Sequence, residues 1–224
     1  KGFANDFNFK KNFIVYKKLY IFGAPIFIGY LSYFVYNKSS TYFLKNSYNF
    51  EGLAKLGISL QLGLLIYLTM GAYGKYYQPL IFVNKLKAKI PQTYDYLILL
   101  YTLTFFLIFY GQDLLVMVID RSFFSPSLEN SLILTSSFFI GVKLIFDSQI
   151  LLAGKPRLTM YSSLLGGIIA ILLFVFIEDL TLLKVGKVML ISSFSMLLSS
   201  AYFSKSSKYL CLDVFLISIF LVVI

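Results

Sequence analysis

The chain is 224 residues long, 58% hydrophobic and 13% charged, with a formal net charge of +10 and a mean hydropathy of +0.80. Soluble domains carry ~25% charged residues, and the 13% found here is too little to clothe a water-facing surface. With no histidine and one cysteine, Cys211, the sequence excludes an internal disulfide and a cysteine metal site, and it removes His-ligated haem, most zinc and copper sites and His-based acid–base chemistry.

Apolar runs of ~17–25 residues, the length that crosses ~30 Å of hydrocarbon as a helix, fill most of the chain from Asp95 to Ile224. The run at 168–177, IIAILLFVFI, does not alternate apolar with polar, which argues against a lipid-facing barrel. Helices remain, because backbone groups in lipid must pair within their own segment. The expected fold is an all-α polytopic transmembrane helix bundle of about seven spans, within a range of about six to eight.

Residues 1–19 (KGFANDFNFKKNFIVYKKL) mix lysine with Phe and Tyr and read as a basic aromatic tail suited to a membrane surface. A single transmembrane domain follows, over 20–224. Span one is expected at 20–36, with Pro25 in its first turns, where a missing N–H does least harm. A polar link, 37–54, leads to span two at 55–74. Residues 75–94 are too charged to cross and read as an interfacial segment. Span three is 95–119, either continuous and tilted or broken at Gly111-Gln112-Asp113.

A turn at 120–130 precedes span four, 131–152. Residues 153–160 link it to span five, and Lys155-Pro156 there should stop a helix. Span five is 161–177. Glu178-Asp179 closes it and suits the N-terminus of the next helix. Span six is 182–203, and span seven, 209–224, follows a polar turn. Without tryptophan, the 18 Tyr and 24 Phe must supply the interfacial aromatic belt, Tyr being the better suited.

The charge is unevenly placed. Residues 1–100 hold twelve Lys against three acids, and residues 101–224 hold eight basic against seven acidic residues. With about seven spans, thirteen of the basic residues fall on one side and six on the other. That bias puts the N-terminus in the cytoplasm or matrix. A basic half in such a chain marks membrane sidedness, and no aromatic-plus-basic module for nucleic acid is present. Lys75, Lys85, Lys87 and Lys89 are candidates for anionic lipid head groups, cardiolipin being the expected lipid.

Three intramembrane charges are candidates for an ion path. Lys143 and Asp147 stand i,i+4 in span four, so they share a helix face and can neutralise each other. Asp113 lies deep if span three is continuous and at the interface if the helix stops at Gly111. Small residues mark helix contacts: Ser163 with Gly167 and Gly166 with Ala170 in span five, and Ser192, Ser195 and Ser199 along span six. Phe146-Asp147-Ser148-Gln149 resembles the short Asp-x-Gln patch of Bax-inhibitor-type channel proteins. The likeness spans four residues, the following helix lacks that family's second acid, and no function is carried over from it.

Enzyme templates fail. Without His there is no Ser-His-Asp or Cys-His arrangement, and Gly166-Gly167 lies inside a span rather than in a phosphate loop. The expected role is therefore a non-catalytic membrane subunit of an energy-transducing assembly, a respiratory complex or ATP synthase, without cofactor. The alternative is a small channel or transporter using Asp113, Lys143 and Asp147. The Lys-, Phe-, Tyr-, Ile- and Asn-rich usage suggests an AT-rich coding genome, and the chain starts at Lys1, as a processed form or a fragment does. Together they point to the mitochondrial inner membrane with the N-terminus on the matrix side, or alternatively to a bacterial inner membrane.

Overall fold

The computed structural model describes residues 9–46, 50–83, 90–119 and 128–204, with side chains described for 15–46, 50–73, 98–112 and 128–204. The described residues form six helices and no strand: α1 (Phe9–Asn46), α2 (Phe50–Val83), α3 (Ile90–Ile119), α4 (Leu128–Leu152), α5 (Pro156–Phe176) and α6 (Leu182–Ser204). Five stretches, within α1, α2, α4, α5 and α6, are long and apolar enough to cross a membrane. This is the signature of an integral membrane protein. The expected seventh span, 209–224, lies outside the described residues.

Two expectations about local structure are corrected. Residues 37–46 belong to α1 and are not a link. Their hydroxyls made them look polar, yet Ser39 and Ser40 bond back to the carbonyls of Tyr36 and Asn37 at 2.8 Å each, which hides them inside the helix. Pro25 is consequently interior, the seventeenth of 38 helical residues, rather than in the first turn. It removes the N–H that the Ile21 carbonyl would otherwise accept. At ~1.5 Å per residue α1 is about 57 Å long, far more than hydrocarbon requires. Residues 9–19 continue directly into this helix, and residues 15–23 are exposed all round.

The backbone of α3 passes through Gly111-Gln112-Asp113 without a break, so the alternative reading of a helix stop there is withdrawn. Lys155-Pro156 does separate two helices, with Pro156 opening α5, where its missing N–H would have had no partner anyway. Glu178 and Asp179 do not start α6. Thr181 does: its carbonyl accepts from Val185 N at 3.0 Å and its hydroxyl from Lys184 N at 3.4 Å.

Each helix runs antiparallel to the next, so alternate helices are parallel. α1 and α5 meet at Gly29–Met160, Gly167–Ser32 and Phe43–Phe174. α2 and α4 meet at Ser59–Asn130 and Gly63–Ser137. α4 and α6 meet at Leu132–Gly186 and Asp147–Ser200. α4 is the central helix, with 83% of its apolar window buried against 17% for α1. Its aromatic side packs on α3 through Tyr101, Phe105 and Phe138, Tyr101 lying nearly parallel to Phe138 at 5.1 Å. The outer faces stay apolar: Leu107, Phe176, Tyr20 and Tyr202 are all more than 70% exposed, which suits lipid and not water.

The alternation gathers the helix ends into two groups. Among residues with described side chains, Lys17, Lys18, Lys155 and Arg157 lie at one end with no acid. Lys38, Lys45, Lys55, Lys184 and Lys187 lie at the other, together with Glu51, Glu129, Glu178 and Asp179.

Candidate functional site

The interior of the bundle contains one ion pair among the described residues, and three helices share it. Lys143, 5% exposed, pairs with Asp147, 9% exposed, one turn on along α4. The Lys143 ammonium also donates to Ser163 Oγ of α5 at 3.0 Å. Ser200 Oγ of α6 donates to the other Asp147 oxygen, Oδ1, at 2.8 Å. Ser163 in turn donates to the Thr159 carbonyl at 3.1 Å. Both carboxylate oxygens are therefore engaged, and two of the three ammonium donors.

Local sequence explains how the charges reach each other. A buried Lys needs its partner on the same face, and i,i+4 spacing supplies it. α5 approaches closely because Gly29 of α1 leaves room beside Ser163 Oγ, 3.7 Å from where a Cβ would stand, while a Cβ on Gly167 would stand 3.3 Å from the Ser32 carbonyl oxygen. Gly166 faces α6 instead, under Met196, where a Cβ would stand 2.9 Å from the Ser192 carbonyl oxygen. The two small rows of α5 thus serve two different neighbours. Ala170 is fully buried with the cluster around Tyr36, Phe174 and Met189.

A second polar tier lies nearer the other end. Tyr36 Oη donates to the Met189 carbonyl at 3.0 Å, joining α1 to α6, and the hydroxyls of Ser136 and Ser193 face it. Ser192 is fully buried and its hydroxyl has no partner among the described residues. Its i−3 carbonyl, Met189, is the one that accepts from Tyr36. Tyr36→Phe should therefore cost only about 0.5–1 kcal/mol in detergent-titrated unfolding, because Ser192 can recover the vacated carbonyl. A loss above about 2 kcal/mol would mean that the hydroxyl does more than hold one carbonyl.

The other residues singled out from the sequence are placed as follows. Ser195 and Ser199 are half-buried and bond only to carbonyls of their own helix. The buried hydroxyls of α6 are those of Ser192, Ser193 and Ser200. Asp113 lies on the α3 backbone, but its side chain falls outside the described residues, as does that of Lys75. Lys85, Lys87 and Lys89 lie outside them altogether. Nothing structural bears on the lipid role expected of those lysines.

Ser200 and Tyr36 were not singled out from the sequence. Serines abound in this chain, and which one meets Asp147 depends on the rotation of α6 against α4. The only sequence signal was the i+4, i+8 row Ser192, Met196, Ser200, too common a pattern to stand alone.

Each carboxylate oxygen of Asp147 already holds one donor, so a proton or cation there would compete with Lys143 and Ser200, and losing either contact leaves a buried polar group unpaired. Among the described residues no three His, Cys, Asp or Glu side chains gather as a metal site. Comparison with protein-family models, curated proteins and solved structures finds no match for this chain.

Proposed function

We propose that the chain is a non-catalytic integral membrane subunit of a larger energy-transducing assembly, such as a respiratory complex or ATP synthase. The observation that carries the non-catalytic part is the mutually neutralised ion pair. Asp147 accepts from Lys143 of α4 and Ser200 of α6, and Lys143 donates to Ser163 of α5, an arrangement that supports a clasp between helices rather than a carrier. The energy-transducing part rests on the chain's composition, whose Lys-, Phe-, Tyr-, Ile- and Asn-rich usage suggests an AT-rich coding genome. The orientation, with the N-terminus toward the matrix or cytoplasm, rests on the thirteen-to-six bias of basic residues read from the sequence. The exposed apolar face of α1 supports contact with lipid and neighbouring subunits.

The test is gentle detergent extraction from the native membrane followed by mass spectrometry of co-migrating chains. A defined set of partner subunits is expected. A stable lone monomer would sink the subunit reading. Flux through reconstituted liposomes that disappears on Asp147→Asn would replace it with the transporter reading.

A further inference from the structure

We propose that the groove between the α5 C-terminus and the α6 N-terminus binds one phospholipid with an ethanolamine-type head group. The groove, of about 470 Å³, is lined by Leu173, Phe176, Ile177, Glu178, Lys184, Lys187, Val188 and Ile191. That volume falls within the ~300–1,000 Å³ of small-molecule sites.

Its polarity is graded along one direction. Lys184 and Lys187 stand i,i+3 in the first two turns of α6, and Glu178 sits beside them at the rim. Val188 and Ile191 lie deeper along α6, with Leu173 and Phe176 on the facing wall of α5. From Lys184 to Ile191 the descent is about 10 Å. Phe176 is 79% and Ile191 50% exposed, so the apolar part opens sideways toward lipid. A head group at the rim and an acyl chain along the wall fit this gradient.

The rim charges select among head groups. Lys184 Nζ donates to the Glu178 carbonyl at 2.8 Å, which anchors the ammonium at the turn and leaves two of its donors available. The Glu178 carboxylate makes no ion pair with either lysine. Asp179, at φ +49°, holds the turn that presents the rim, a conformation Asp tolerates better than most residues. Two cations and one carboxylate around one opening match a phosphate flanked by an ammonium. The phosphate takes Lys184 and Lys187, and a primary ammonium donates to Glu178. A choline head group has no N–H to donate, and a glycerol head group offers Glu178 hydroxyls but no ammonium.

This site rests on the reading of the chain as membrane-embedded and not on its being a subunit. The experiment uses the full chain in nanodiscs containing equal phosphatidylethanolamine, phosphatidylcholine and phosphatidylglycerol. Mild detergent extraction and quantitative lipid mass spectrometry then follow. One retained phosphatidylethanolamine per chain is expected. Lys184→Gln and Lys187→Gln should each lower retention about five-fold, while Lys155→Gln with Arg157→Gln at the opposite end should not. Glu178→Gln should reduce phosphatidylethanolamine to the level of phosphatidylcholine, and Ile191→Trp should fill the groove and expel both. Preference for phosphatidylglycerol, equal retention of all three lipids, or displacement of lipid by inorganic phosphate alone would each overturn the proposal. A chain that leaves its native membrane as a lone monomer yet retains phosphatidylethanolamine in nanodiscs would sink the subunit reading and leave this site standing.

Discussion

Asp147→Ala should be among the most damaging single substitutions in this chain, costing about 3–5 kcal/mol of stability. The loss comes less from the attraction removed than from the ammonium left behind. Lys143 is 5% exposed, and only Ser163 would still accept from it. An unpaired ammonium in such a place must shed its proton or pull water into the bundle, and both are expensive. Ser200 loses its acceptor as well, though it can turn back to a carbonyl of its own helix, as most serines here do.

The double variant Lys143→Met with Asp147→Leu gives the sharper outcome. Removing both ions replaces the pair with apolar side chains of similar volume, a change that is often neutral or stabilising when a buried pair is replaced. The double variant should therefore be more stable than Asp147→Ala alone. Unfolding in mixed micelles titrated with a denaturing detergent reads both. A single variant as stable as the parent would show that Lys143 already reaches water, and the clasp would have to be given up. A double variant as unstable as the single one would mean that the site depends on charge for something other than joining helices.

What the sequence could and could not reveal follows from the range of each signal. The pair itself was legible because i,i+4 spacing lies within one helix. Its partners Ser163 and Ser200 belong to other helices, and their meeting depends on rotational phase and register, which no local pattern encodes. Helices near the expected spans four and six were legible within three residues because polar residues border them, whereas 156–160, read as part of a link, belong to α5, since Pro156 is a good first residue of a helix. The ends of α1 were not, because Asn37, Lys38, Ser39, Ser40 and Thr41 read as a link by composition while their backbone continues as helix. In a membrane, a serine that bonds to its own helix costs little, so hydroxyl content is a poor marker of where a helix stops. The same ambiguity affects α3, where Gly111 and Asp113 suggested an end that the backbone does not have.

Gly141→Ala tests how α3 is held, and it should cost about 1–3 kcal/mol, more than an alanine in an open helix position would. The glycine lies on α4 under Tyr101, and an added Cβ would collide with the Tyr101 hydroxyl and ring, its Cε1 lying 2.8 Å away. Tyr101 cannot easily move. It is fully buried, stacked on Phe138, and its hydroxyl reaches the Ser137 carbonyl at 3.5 Å. Phe105, one turn on along α3, also meets the Phe138 ring at 4.6 Å. The helix rather than the side chain must give way, so the substitution should loosen α3 from α4 and expose the cluster they share. Tyr101→Phe should not rescue it, because the ring carbons remain in the way. Tyr101→Leu should cost stability in the parent and little more in the Gly141→Ala background, since the smaller side chain frees the space that the new methyl needs. Additive losses in that pair, read by the same unfolding titration, would show that Gly141 and Tyr101 do not share a contact and that α3 is positioned by α2 instead.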